Sequence, residues 1–501
     1  MTGPADPAWV HRVDHLLRPD PARVVTRIFL PGQEANQPGE SRSAVILERV
    51  LGLTDDEVDE QLTAVRAAYG HRHRDLEETW ARNFSLMEHR LADAGRLHEN
   101  RRRLIGAYFT QEFAIEGAAL FNPSMVPHPD QAGLAAGSTR FVMTARAVGE
   151  GHISSAEFRT GTIDDAGVVV VDPPGDVAVL PAIVPNRYSR TSFRKQLADL
   201  AGTGANSSFV LDSLPETFSR EDLDLALGKL RAESLTRGAA GRTIDRFEWI
   251  AACNYRAEFP ESSVIQERVL MPVAPSESHG IEDVRMLRFI ESDGTARYLG
   301  TYTAYDGRSI ASQLIETDDF RTFDVTQLNG PGSRNKGMAL FPRRIDDRYV
   351  ALSRADRESN GVTTSADLRH WDQPVLIQTP ERPWEIVQLG NCGPPVETDA
   401  GWLVLTHGVG PMRQYGIGAL LLDLDDPTIV VGRLAAPLLT PGAGERDGYV
   451  PNVVYSCGGM LHGRTLVLPY GCSDAAIRIA VVELDPLIDR LTSDPSLKET
   501  P

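Results

Sequence analysis

From Thr54 onward apolar residues recur at three- and four-residue steps: Val58, Leu62 and Val65, then Leu76, Trp80 and Phe84. That spacing predicts amphipathic helices, because a 3.6-residue period returns side chains to one face. Thr54, with Asp55 and Asp56 behind it, is suited to a helix N-terminus, where acidic groups meet the unpaired N–H groups. Gly70 and the basic cluster His71–Arg74 predict a break between two helices. His71 and His73 would point to different faces of a helix, so a solvated or capping role is expected of them rather than metal binding. Helices are expected to continue to about Glu116.

After Leu120 the period shortens. Short β-rich runs follow one another, separated by Gly, Asp, Asn and Pro turns. Five share one pattern: TRFVMTARA (139–147), ARYLGTYTAYDG (296–307), DRYVALSRAD (347–356), GWLVLTHGVG (401–410) and RTLVLPYGCSD (464–474). Taking Tyr298, Tyr349, Trp402 and Leu466 as equivalent points, the spacings are 51, 53 and 64 residues. Phe323 and Trp371, which close two further related runs, lie 48 apart. Repeats of about 40–50 residues with several short strands each predict propeller blades, whereas a sandwich has no reason to repeat an aromatic motif at that interval. The expected fold is therefore mainly β, a five-bladed β-propeller over 119–492 behind a mainly helical extension over 1–118. Phe141 and Tyr298 are 157 residues apart, too far for adjacent blades. The excess contains SFRKQLADLAG (192–202) and SREDLDLALGKLRAES (219–234), the second opening on an S-x-x-D cap. A partly helical insertion over 190–245 is expected, either a lid, an oligomer contact or a surface decoration.

Composition narrows the partners. The chain of 501 residues is 42% hydrophobic and carries 51 Lys+Arg against 69 Asp+Glu, a formal net charge of −18. Such a surface repels phosphate backbones and anionic lipid, so neither nucleic acid nor membrane is expected as a partner. A local basic pocket for a small anion remains compatible with it. Cys253, Cys392, Cys457 and Cys472 are too scattered for a disulfide framework and form no C-x-x-C pair. The N-terminus shows no apolar signal region, and a reducing cytoplasm is the simplest address.

The chemistry is expected at the polar ends of the marker strands. HGIEDVRM (279–286) places Glu282, Asp283 and Arg285 close together ahead of TYTAYDG. Adjacent strand residues point to opposite faces, so only one of the two acids is expected to face the channel. Taken alone, the acid and base read equally well as a structural ion pair.

GIEDVRM with TYTAYDG, then NKGMALFPRRIDDRYVALSR, GNCGPPVETDAGWLVLTHGV, YGIGALLLDLDDP and DGYVPNVVYSCGG, resemble glycoside hydrolase family 130, the β-mannoside phosphorylases and related β-1,2-mannosidases. The ordered series covers about residues 120–490. The resemblance implies a five-bladed propeller and an inverting mechanism in which Asp283 is the general acid, its proton travelling through a sugar hydroxyl. Val284 stands where the family's motif has proline. Protonating a poor leaving alkoxide lowers the barrier, and inversion needs room for a nucleophile on the opposite face. The resemblance also implies a phosphate seat: Arg334, Arg354 and His407, with Gln388 where the family has a lysine. Lys336 reads as a neighbour of that seat. In the hydrolytic branch a glutamate serves as base, for which Glu385 and Glu157 are the local candidates. Tyr415 and Asp474 match family positions near the sugar, and Asn122, Arg146, Asp306 and Asn335 are further substrate-binding candidates.

Three functions compete: a phosphorylase yielding α-mannose 1-phosphate, a mannoside hydrolase, and a noncatalytic glycan- or protein-binding propeller. Keeping an acid beside an oxyanion set argues against the last. A small oligosaccharide is the expected substrate, with inorganic phosphate as co-substrate for a phosphorylase. No metal or organic cofactor is implied, and a homo-oligomer is expected through the helical front end.

Overall fold

The structure is a computed structural model, and it describes residues 6–32, 41–233 and 239–493. It divides into two compact units. The smaller runs from Asp20 to Gly117 with Gly175–Leu180; the larger takes the rest.

In the smaller unit, helices Arg42–Leu51, Asp55–Tyr69, Leu76–Met87 and Glu99–Tyr108 accompany a two-stranded sheet, Val24–Ile28 against Thr110–Ala114. The expected start at Thr54 is a capping box: Thr54 Oγ1 accepts from Glu57 N–H, and the Glu57 carboxylate accepts from Thr54 N–H. Such a cap contributes about 1 kcal/mol. Leu47, Val50, Val58, Phe84, Leu104, Ile105 and Phe109 form this unit's core. Three expectations change here. Helix stops at Tyr108, and Thr110–Ala114 is extended because it pairs with Val24–Ile28. His73 is buried rather than solvated, its Nε2 2.8 Å from Glu112. Residues Val10–Leu17, expected within the helical extension, belong to the larger unit and form a strand there that pairs with Ala476–Glu483.

The larger unit is mainly β and contains five antiparallel meanders. The first is Ala119–Pro127, Thr139–Val148, Ser154–Ile163 and Val169–Val171. The second is Gly280–Ile290, Ala296–Tyr305, Ile310–Thr317 and Thr322–Gln327. The third is Ala339–Leu340, Tyr349–Ser353, Asn360–Ser365 and Val375–Gln378. The fourth is Gln388–Asn391, Gly401–Val409, Tyr415–Leu422 and Val430–Arg433. The fifth is Val454–Tyr455, Thr465–Cys472 and Ala476–Glu483, completed by Val10–Leu17. Each run singled out by its repeated pattern is the second strand of a meander.

Neighbouring meanders share cores. Phe289 and Leu299 pack with Ala351 and Trp371; Val350 and Leu352 with Trp402 and Val404. Leu405 and Ile417 pack with Leu466 and Leu468, and Phe141 and Met143 with Val467 and Ile477. Phe158 of the first meander stacks on Phe323 of the second at 5.5 Å. The contacts thus run from first to second and onward, and return from fifth to first.

The insertion is more helical than its sequence expectation. It holds Arg190–Asp199, Ala205–Asp212, Arg220–Ala232 and Ala240–Ala252 around a core of Phe193, Leu197, Leu227 and Phe247; residues 234–238 lie outside the described residues. The Ser219 cap is present, accepting from Asp222 N–H. Its last strand, Tyr255–Glu258, extends the second meander by pairing with Thr322–Gln327. No helix among the described residues is long and apolar enough to cross a membrane.

Candidate active site

Two β-bulges build the acid side of the site. In the second meander Glu282 pairs with Thr303 but Arg285 with Thr301, so one strand has an extra residue. Asp283 sits in that bulge with φ 58°, a left-handed conformation that aspartate tolerates better than most residues. The bulge breaks side-chain alternation, and this corrects the expectation that only one acid faces inward. Arg146 reaches both: one terminal nitrogen is 2.8 Å from Glu282 Oε1, the other 3.4 Å from Asp283 Oδ1. In the first meander Phe121 pairs with Arg146 but Ser124 with Thr144, a second bulge with Asn122 at φ 48° and Pro123 inside it. Asn122 Nδ2 donates to Asp283 Oδ1 at 2.8 Å. Gly471 in the fifth meander leaves room for it, since a Cβ there would stand 2.9 Å from Asn122 N.

Charge on this side is balanced locally. Lys336 Nζ donates to Glu282 Oε2 at 2.7 Å, so the residue expected as a bystander holds one of the carboxylates. Burial is the largest influence on Asp283 and favours its neutral form. Arg146, Arg285, the Asn122 hydrogen bond and Lys336 together outweigh it and hold the carboxyl below its ordinary value. Asp474 goes the other way: burial first, then the charge of Asp283, push it up to about 6. Two neighbouring carboxyls therefore have their proton affinities driven apart.

The cation side is built differently. Arg285, on the same strand as Asp283, is 2% exposed and donates to the Tyr455 hydroxyl. Arg354 lies 3.1 Å from His407 Nε2. His407 is buried, and burial followed by Arg354 and Arg285 holds its pKa well below the usual histidine value. Neutral, with Nδ1 3.2 Å from the Asn391 carbonyl, it donates there and leaves Nε2 to accept from Arg354. Tyr415 stacks on the ring at 5.9 Å and Tyr455 meets it edge-on at 4.9 Å. Gly390 is required beside them, because a Cβ would come within 2.6 Å of the imidazole. Among the described residues no carboxylate pairs with either Arg285 or Arg354. The charge of Asp283 nonetheless acts on His407 and Tyr455, so the two sides share one electrostatic environment.

Other expected residues are placed elsewhere or already engaged. Asn335 donates to the Arg354 carbonyl at 3.2 Å and thereby helps place that residue. Gln388 donates to the Tyr415 hydroxyl at 3.3 Å. Arg334 is exposed and lines a separate cavity of about 340 Å³ with Ser353, Asp356 and Gln373, which contains none of Asp283, Arg354 or His407. Asp306 accepts from the N–H groups of Arg308 and Ser309 and fixes a turn. Glu385 is buried on Arg433 at 2.8 Å, and Glu157 on Arg159 at 3.0 Å. From the sequence Arg285 read only as one half of a structural ion pair, and Tyr455 was not singled out. A charged residue inside the apolar run Val284–Ile290 was the available signal, since an arginine is seldom fully buried without a partner.

Comparison with known proteins places the chain in a family. A family model described as beta-1,4-mannooligosaccharide phosphorylase, of glycoside hydrolase family 130, matches residues 261–493. A 1,2-β-oligomannan phosphorylase of Thermoanaerobacter sp. (strain X514) is 33% identical over 232 residues, 44% of this chain and 74% of that protein. A β-1,2-mannobiose phosphorylase of Listeria innocua is 31% identical over 229 residues, 44% of this chain and 63% of that protein. The solved structure of a Listeria innocua β-1,2-mannobiose phosphorylase with β-1,2-mannobiose aligns with a TM-score of 0.45 and 19% identity, over 76% of this chain and 94% of that one. The chain belongs to glycoside hydrolase family 130.

Proposed function

We propose that this protein is an inverting β-mannoside phosphorylase that cleaves a β-linked manno-oligosaccharide with inorganic phosphate. The observation that carries the reading is the cation side: among the described residues the Arg285 and Arg354 guanidiniums hydrogen-bond only to the neutral Tyr455 and His407, with no carboxylate paired to either. Arg285 is buried and Arg354 half-buried, and the Asp283 charge acts on Arg285 without an ion pair; guanidinium groups so placed can take an anion from outside, and they suit the oxygens of phosphate. In the reaction a phosphate oxygen bonds to C1 of the mannosyl unit from the face opposite the leaving oxygen. The C1–O glycosidic bond breaks, and the leaving oxygen takes the Asp283 proton, directly or through a sugar hydroxyl. The hydrogen phosphate proton then restores Asp283, giving α-mannose 1-phosphate and the shortened sugar. Asp283 is held in its ionised form by nearby cations, Arg285 among them. Phosphate on Arg285 would offset that influence and raise the proton affinity of Asp283 when the co-substrate arrives.

The five meanders and their cyclic packing support a five-bladed propeller, with Val10–Leu17 supplying the last strand of the fifth blade. Hydrolysis on the same scaffold needs a carboxylate base for water, and both candidates, Glu385 and Glu157, are committed to arginines. The deciding experiment incubates the protein with β-1,2- and β-1,4-mannobiose, with and without phosphate. Mannose 1-phosphate formed only with phosphate is the expected result. Free mannose at one rate in both conditions would replace this reading with hydrolysis.

A further inference from the structure

The smaller unit carries a cavity of its own, of about 360 Å³. It lies outside the segment that the family model matches, residues 261–493. Helices Leu76–Met87 and Glu99–Tyr108 make its floor because they approach closely at Gly106, where a Cβ would collide with the Trp80 carbonyl. Trp80 and Leu104 therefore face the same space, with Val65 and Leu76 beside them. Tyr69 and Tyr108 stand at the rim, 42% and 43% exposed. The charged wall is already balanced: Glu112 meets His73 at 2.8 Å and Arg72 at 2.9 Å. Gln61 and Gln111, both exposed, also line the cavity and leave their side-chain amides to solvent.

We infer that this cavity binds a neutral sugar ring, specifically a mannosyl unit of the oligosaccharide assigned to the catalytic site; the choice of sugar rests on that assignment. A pyranose offers a C–H face to aromatic rings and hydroxyls to planar amides, and this wall supplies both. A charged ligand would find its partners already paired, and a purely apolar one would leave the amides and the Glu112–His73 pair desolvated without compensation. The helical unit thus acts as an accessory sugar-binding module on the same chain as the enzyme.

The test labels the full chain with 5-fluorotryptophan and follows the six tryptophan ¹⁹F signals. Trp80→Phe assigns the signal of the cavity floor. Titration with β-1,2- and β-1,4-mannotriose should shift the Trp80 signal saturably, and the Tyr69→Ala/Tyr108→Ala variant should lose that shift while its other signals keep their positions. A Trp80 signal unmoved at saturating trisaccharide, or shifted equally in the double variant, overturns the inference. A shift with octanoate but not with the trisaccharides overturns it too. Gln61→Ala gives a milder second variant and should weaken binding without moving the unliganded Trp80 signal. Phosphate-dependent turnover is measured in parallel: turnover without a Trp80 shift overturns the accessory site alone, and a Trp80 shift without turnover of any β-mannoside overturns the catalytic reading alone.

Discussion

The two sides of the active site use charge in opposite ways. On the acid side Glu282 and Asp283 are held by Arg146, Lys336 and Asn122, so each carboxylate has a partner within the chain. On the cation side Arg285 and Arg354 lean on a phenol and a neutral imidazole. Desolvating a cation is costly unless an anion offsets it, and here only the more distant Asp283 charge acts on Arg285, so the second arrangement has room for a ligand anion. In the proposed phosphorolysis the acid side would position the proton donor and the cation side would bind the nucleophile.

Variants sharpen the contrast in descending order of effect. Asp283→Asn removes the proton donor and should lower kcat by about 10²–10⁴-fold with little change in the phosphate requirement; a rate near the parent's would remove Asp283 from the acid role. Arg354→Met should raise the phosphate KM by about 10- to 100-fold, the loss of one charge-assisted hydrogen bond. Arg334→Ala should raise it less, because the Arg334 side chain lines a different cavity. Equal effects of the two would show that the exposed arginine belongs to the seat after all.

Arg146→Gln should act through protons. Arg146 is the leading charge that lowers Asp283, so its loss lets the Asp283 pKa rise. The reaction needs protonated Asp283, and the alkaline limb of kcat/KM should therefore move to higher pH. A limb that stays in place would mean that another group sets it. The smallest effect concerns stability. Asp474 has its pKa raised to about 6, so its contribution is present below the unfolded value of about 3.9 and lost as pH rises through about 6. Asp474→Asn should thus raise Tm relative to the parent near pH 8 and change it little near pH 4. The opposite ordering in thermal melts would show that the Asp474 carboxylate is stabilised in the fold.

The meanders were legible because period-2 patterning and turn residues repeat at a steady interval, and the helix starts at Thr54 and Ser219 were legible because capping is local. The strand Val10–Leu17 was not. Its apolar residues Val10, Val13, Leu16 and Leu17 have helical spacing, and its partner lies at the other end of the chain. The acid pair was identified, yet its geometry was misread, because nothing in the run Glu282–Arg285 announces a bulge or a positive φ at Asp283. Arg354 and His407 were singled out through motif order. Arg285 was missed as a site residue because an arginine beside two acids looks paired, and only the fold turns it toward Tyr455 instead.

The central claim is that Arg285 and Arg354 form an anion seat facing Asp283. Calorimetric titration of inorganic phosphate into the parent and into Arg285→Met/Arg354→Met tests it most directly. Saturable binding of one phosphate by the parent, and none by the double variant at the same concentrations, is the expected result. Equal binding by both proteins, or no binding by the parent, would contradict it.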